Sequence, residues 1–488
     1  MSSVRKDETL SQSADTPEHA DGRLPFSMKV AYGLGAFVNN LLAAASGGMM
    51  IILNLGLGLN PATVGLLGAL PRITDALTDP MMGYVSDHTR SRWGRRRPYI
   101  FVGAIFAAIT FALLWQLPRD QSETFYFIYF LVGSILFYLG YTIFATPWVA
   151  LGYELTPDYH ERTRLMGVQN FIGQIAYMVS PWFLWFMTQE DWFADQVEGA
   201  ATLAILVAAV TLTLGILPAI LLRERFAGSG EEAQGPKPWR ALGQNLIQFF
   251  KGFAITLRSK PFLKLCVATF FVFNGFILIS AFQSYVIIYY VTGGDQALGA
   301  EYAGYSGTAS AIATFVVIAI VTWLGTRIGK RRAFFVSTFI SILGYALKWP
   351  CYNPEMPMLV VLPAPLMAFG LGGLFTLMPA MVADVVDFDE LETHERREGM
   401  FGSIFWWVVK LGMAAAIAGG GYLLDATGFD VEAGANQTES TLFWMRVFDV
   451  VIPILTSGLA IWAVATFQIT EEKANEVRAA LAERRGES

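Results

Sequence analysis

Residues 71–97 read PRITDALTDPMMGYVSDHTRSRWGRRR, and this stretch places two opposing demands on one piece of chain. Its first part has the length and apolar setting of a helix, yet it carries Arg72, Asp75 and Asp79. Its second part is a basic loop with Arg90, Arg92, Arg95, Arg96 and Arg97. The loop has a counterpart, because Arg92-Trp93-Gly94-Arg95-Arg96-Arg97 is echoed by Arg327-Ile328-Gly329-Lys330-Arg331-Arg332. His160-Glu161-Arg162 recurs as His394-Glu395-Arg396, and Asn39 and Asn40 are echoed by Asn274. The three echoes share one offset of about 234 residues, close to half of the chain, which is the mark of two parallel halves.

The flanking sequence supplies the medium. Hydrophobic residues make up 54% and charged residues only 15%, against about 25% charged in a soluble globular chain. The mean hydropathy is +0.46. Residues 101–117 and 200–222 hold no charge at all. Runs of about 20 apolar residues can cross a hydrocarbon core of about 30 Å. Twelve such spans are expected, the second at 61–87 and the eleventh at 397–425. The chain then divides into a disordered cytosolic tail (1–27), a six-helix bundle (28–222), a linker (223–260), a second six-helix bundle (261–468) and a cytosolic tail (469–488). An amphipathic surface helix is expected at 239–257. The basic loops after spans two and eight, and the middle loop, belong in the cytosol with both termini by the positive-inside rule. The loops at 56–61, 189–199, 292–301 and 425–439 hold no Lys or Arg. The expected location is therefore the cell (inner or plasma) membrane, as a multi-pass monomer with the lipid bilayer as solvent.

Several classes of function are disfavoured. A net charge of −6 suggests no nucleic-acid partner. The four histidines fall in tails or loops, which argues against a metal or haem site. No phosphate-cradling loop, zinc-protease helix or Gly-x-Ser-x-Gly elbow occurs, so no enzyme and no cofactor are expected.

Charges inside a span cost roughly 2.5–3.5 kcal/mol each on insertion scales. Asp75 and Asp79 are four apart and share a helix face, and Arg72 can pair with Asp75. Two acids one turn apart, with Thr78 between them and Thr142 on span four, can ligate a small cation or share a proton. The competing reading is an ion-pair network that only holds helices together. Lys410, deep in span eleven, is the natural partner of Asp75 or Asp79. With Arg72 the four charges sum to zero, and an entering cation would compete with the lysine. Lys348 reads instead as a residue snorkelling to a surface. Asn39, Asn40, Tyr141, Thr146, Trp148, Asn170, Gln174, Asn274, Gln283 and Trp406 offer the amides, hydroxyls and rings that suit a neutral polyhydroxyl solute. Gly83, Asp87, Arg90, Arg95 and Arg96 read as a gating cluster, with Gly83 permitting close helix approach and Asp87 pairing with an arginine across the half.

Asp75-Ala76-Leu77-Thr78-Asp79-Pro80-Met81-Met82-Gly83, followed by Thr89-Arg90-Ser91-Arg92-Trp93-Gly94, resembles the glycoside–pentoside–hexuronide:cation symporters, the melibiose-permease group of the major facilitator superfamily. So does Met381-Val382-Ala383-Asp384-Val385-Val386-Asp387 leading to Val408-Val409-Lys410. The run Arg95 to Pro98 is also similar to proton-coupled sucrose carriers. The resemblance implies the major facilitator fold and H+- or Na+-coupled symport of a sugar or glycoside. It puts the family's cation acids on Asp75 and Asp79, its hydroxyl ligand on Thr142 and its lysine on Lys410. Thr78 stands where melibiose permeases have Asn. Their sugar-binding acids fall on Asn40 and Ala145, and their span-five arginine falls on Asn170. A solute other than melibiose follows: another glycoside, or an amphiphile such as a lysolipid. A non-transporting receptor is the reading from a different class, and the intramembrane acids argue against it.

Overall fold

The computed structural model describes residues 24–89, 91–156, 159–224, 256, 258–394 and 398–485. Among them there is no strand. The first half comprises α1 (Phe26–Leu55), α2 (Pro61–His88), α3 (Arg97–Leu114), α4 (Glu123–Glu154), α5 (Tyr159–Val179, extended by short turns to Met187) and α6 (Gln196–Leu221). The second comprises α7 (Lys260–Val291), α8 (Gln296–Ile328), α9 (Lys330–Cys351), α10 (Pro357–Thr393), α11 (Glu398–Ala426) and α12 (Glu439–Ala465). A further helix, α13 (Glu471–Arg485), follows within the stretch read as a tail. The helix expected at 239–257 lies outside the described residues.

Ten of these helices are long and apolar enough to cross a membrane, which makes this a multi-pass membrane protein. Of the other three, α13 is short and charged, and α2 and α5 are long helices interrupted by charge. α2 packs on α4 and α11, and α5 packs on α1 and α8, so both are held by protein. That is where intramembrane charge is tolerated.

Local chemistry sets the helix ends. Asn60 accepts from the Ala62 N–H at 2.8 Å, with Pro61 at the first helical position of α2. Ser122, Asp195, Asp295 and Thr438 cap α4, α6, α8 and α12 in the same way. The two halves also share a device that the sequence echo only hinted at. Glu224, just past α6, accepts from the N–H groups of Arg95, Arg96 and Arg97 at 2.8, 2.8 and 2.9 Å, at the start of α3. Glu471, just past α12, lies against Gly329 at the start of α9. Gly94 and Gly329 have φ of 102° and 81°, which glycine adopts without strain. In each half a carboxylate thus meets the positive end of the third helix.

Packing within a half relies on close backbone approach. A Cβ on Gly140 of α4 would stand 2.9 Å from the Ala107 nitrogen of α3. Small residues at such crossings replace a hydrophobic driving force that lipid does not supply. Gly83, expected to serve this purpose, does not: its Cβ would meet Thr146 at an ordinary 3.7 Å.

The halves meet along two seams, α2 against α11 and the α5 extension against α8. In the first, a Cβ on Gly65 would lie 3.0 Å from the Ile417 carbonyl oxygen and 3.1 Å from the Gly421 Cα. In the second, Trp182 lies over Gly304 and donates to Thr308 at 2.9 Å. Asn60 to Asp425 (2.6 Å) and Tyr285 to Asn54 (3.0 Å) add polar contacts between halves. All of these lie toward the end opposite the chain termini. At the terminus-bearing end the ion pairs Arg96–Asp87, Arg96–Glu154, Lys29–Glu161, Lys330–Asp384 and Arg484–Glu390 each stay within one half. Among the described residues, the close seams and polar contacts between the halves named above gather at one end.

Lys348 overturns its expectation. It does not snorkel: its ammonium is fully buried, 2.5 Å from the buried Asp449 of α12, and lies over the Tyr352 ring. The partner is 101 residues away in sequence, so position near a span end misled.

Candidate functional site

α2 turns Asp75 and Asp79 onto one face, toward α4 and α11. From α4, the Thr142 hydroxyl lies 2.9 Å from Asp75 Oδ1 and 3.0 Å from Asp79 Oδ1. It has one proton, so it donates to one carboxylate at a time. The Thr78 hydroxyl stands 3.4 Å from that of Thr142, and Thr146 Oγ1 stands 3.4 Å from Asp79 Oδ1. From α11, Lys410 Nζ lies 3.0 Å from Asp75 Oδ2 and also contacts Asp79 Oδ2. Two carboxylates of one half thus hold an ammonium of the other on one side and meet threonine hydroxyls of their own half on the other.

Burial is uneven. The Asp75 side chain is 1% exposed, whereas Asp79 and Lys410 are 34% and 27% exposed. Asp75 is the sealed floor of the cluster, and Asp79 its open rim. Oxygen ligands of this kind suit a hard cation, and a carboxylate pair suits a proton.

Arg72 departs from expectation. It forms no ion pair with Asp75, whose second oxygen is taken by Lys410. Its guanidinium instead lies 4.6 Å over the Tyr138 ring, and one nitrogen sits 3.4 Å from Ser46 Oγ.

The polar and aromatic residues divide. Asn39 and Asn40 bond each other at 3.2 Å, and Tyr141 donates to Asn39 Oδ1 at 2.9 Å, next to the acids. Asn40 also donates to the Gly173 carbonyl of α5. Gln283 bonds Ser306 at 3.2 Å, and Asn274 bonds the Phe270 carbonyl on its own helix. Asn170 is exposed and Gln174 half-buried, one turn apart on α5. Trp406 is half-exposed and stacks on Phe375. Trp148 is not at the site: it is 2% exposed inside the first half, where it donates to the Tyr32 carbonyl and stacks on that ring.

The gating cluster forms inside one half. Asp87 pairs with Arg96 at 2.8 Å, and Arg95 and Arg96 both contact Glu154. Arg90 lies outside the described residues. Sequence reasoning missed Glu154, Glu224, Asn54 and Asp449. Each sits at a helix end or pairs with a residue far away in sequence, and their only local signal was an acid or amide beside an apolar run.

Among the described residues the chain is helices in two bundles with a charged cluster where they touch, and together with the family match that follows this makes it a membrane transporter. The chain belongs to the MFS/sugar transport protein family, whose model matches residues 31–471. It is 25% identical to the isoprimeverose transporter of Lactiplantibacillus pentosus, over 91% of this chain and 89% of that protein. It is 22% identical to a glucuronide carrier protein homolog of Escherichia coli, over 92% and 93%, and 22% identical to the sodium-dependent lysophosphatidylcholine symporter 1 of Gallus gallus, over 96% and 91%. In fold it is similar to a bacterial homolog of the human lysosomal transporter Spinster in an inward-facing, unoccupied conformation, with a TM-score of 0.64 at 16% identity over 91% of this chain and 96% of that one. Its partner is accordingly a small-molecule solute.

Proposed function

We propose that this chain is a symporter that couples the entry of Na+ or H+ to uptake of a sugar, a glycoside or a related hydroxylated solute, by alternating access. The observation that carries the reading is Lys410 from one half seated between Asp75 and Asp79 of the other. The ammonium occupies the place a coupling cation would take. A cation that binds there displaces the lysine and breaks an attraction between the halves. Ion occupancy and the relative position of the halves then share one free energy, as coupling requires.

The names of relatives support the solute class and include one sodium-dependent symporter. The positive-inside rule assigns the terminus-bearing end to the cytosol, so the closed end is the outer one. Vesicle uptake on imposed Na+ and H+ gradients tests the reading. Asp79→Asn keeps shape and removes one charge. It should abolish gradient-driven accumulation while solute exchange persists, because exchange need not return an empty carrier. Normal accumulation by this variant would leave the cluster as a structural ion-pair network.

A further inference from the structure

We infer that Arg72 recognises an anionic group of the transported solute, and that this solute carries a monoanionic oxyanion, a carboxylate or a phosphodiester, beside its hydroxyls. The inference rests on the symporter reading above and names the chemistry that reading leaves open.

Arg72 is 7% exposed. A guanidinium has five N–H donors. Among the described residues, the sole hydrogen-bond contact is the Ser46 hydroxyl at 3.4 Å, beyond the usual 3.2 Å limit for N–H···O. The Nε atom is buried with no partner. A buried charge left this way is costly, and natural proteins retain such groups where a ligand completes them. The acid three residues on cannot complete it, because Asp75 is bonded to Thr142 and Lys410.

The surroundings describe the missing partner. Tyr138, whose ring lies under the guanidinium, donates to Ser46 at 3.1 Å. The Ser46 hydroxyl of α1 and the Tyr138 ring of α4 thus face a guanidinium whose fork matches an oxyanion in bidentate fashion.

Charge arithmetic points the same way. Asp75 and Asp79 balance Lys410 and Arg72, so the empty cluster sums to zero. One bound cation raises it to +1, and one monoanion returns it to zero. Transport of one cation with one monoanion is therefore electrically neutral overall.

The test uses the full chain in proteoliposomes with imposed Na+ and H+ gradients and two matched pairs of solutes. Methyl β-D-glucuronide and methyl β-D-glucoside differ in a carboxylate; lysophosphatidylglycerol and monoacylglycerol differ in a phosphodiester. The anionic member of one pair should be preferred by at least about tenfold in apparent affinity, and the responding pair identifies the oxyanion. R72Q should bring that preference close to one, and R72K should keep part of it. Wild-type uptake of the preferred anion should not change with a potassium diffusion potential, a readout that does not depend on any variant folding. The inference is overturned if the neutral members are taken up as well as the anionic ones, if neither pair is transported, if the preference survives in R72Q, or if the potential drives uptake. Asp79-dependent accumulation of a neutral sugar would overturn the anion assignment and leave the symporter reading standing. Failure of every gradient to drive any solute would overturn both.

Discussion

Thr142 is the smallest part of the site and the one whose geometry is most restrictive. Its single hydroxyl lies within 3.0 Å of an oxygen from each acid, while Lys410 holds their far sides. Thr142→Val keeps the shape and removes only that oxygen. The loss should weaken cation activation by about tenfold, the worth of one hydrogen bond to a charged group. Exchange without a gradient should remain, and an unchanged cation dependence would remove Thr142 from the site. Asp75, Asp79, Thr142 and Lys410 were all legible, because acids one turn apart in an apolar helix demand a cation and an isolated lysine demands acids. The detail of Arg72 was not. Spacing allowed it to pair with Asp75, but spacing cannot tell that a lysine from another helix arrives first. Lys348 and Asp449 teach the same lesson, since burial was invisible from a position near a span end. Lys348→Met or Asp449→Ala alone strands a buried charge and should cost about 3–5 kcal/mol. The double replacement by apolar residues should recover most of the melting temperature in detergent. Equal losses from the single and double changes would deny the pair its role.

Elements were easier to read than the contacts between them. α2, expected at 61–87, runs Pro61–His88, and α11, expected at 397–425, runs Glu398–Ala426, because apolar runs, Asn60 and Pro61 mark their ends locally. The helix α13 escaped notice, although Ala474, Val477 and Leu481 bury one face and Arg484 reaches Glu390 and His394 of α10. Its length is too short and its charge too high to resemble a span, and a pattern of three apolar residues is weak on its own. The Glu224 cap was hidden for another reason: three N–H donors converge on one carboxylate only after α3 and α6 are packed. Glu224→Ala should destabilise the first half by about 1–2 kcal/mol, read as a lowered melting temperature. Glu224→Gln should recover part of that loss, since the amide oxygen still accepts but the charge is gone. No difference between the two variants would mean that the charge is immaterial.

At the scale of the molecule, the tight seams and the polar contacts Asn60–Asp425 and Tyr285–Asn54 gather at one end. At the other end, each named ion pair closes within its own half. Glycine at 65 and 421 lets α2 and α11 touch there with no side chain between them, and a packed seam of this sort is either shut or open. If the halves rock, this seam must part once per cycle. Cysteines replacing Asn60 and Asp425, whose side chains already meet at 2.6 Å, should cross-link under mild oxidation. Net uptake should then stop, and a thiol reductant should restore it. The native cysteines Cys266 and Cys351 are buried and should not interfere. The cross-link holds the closed end without touching Asp79 or Lys410, so a cation should still reach the exposed rim of the cluster from the terminus-bearing end. Loss of uptake with retained cation binding would separate the motion from the chemistry. Full uptake by a completely cross-linked protein would mean that this seam never opens, and alternating access about it would have to be abandoned.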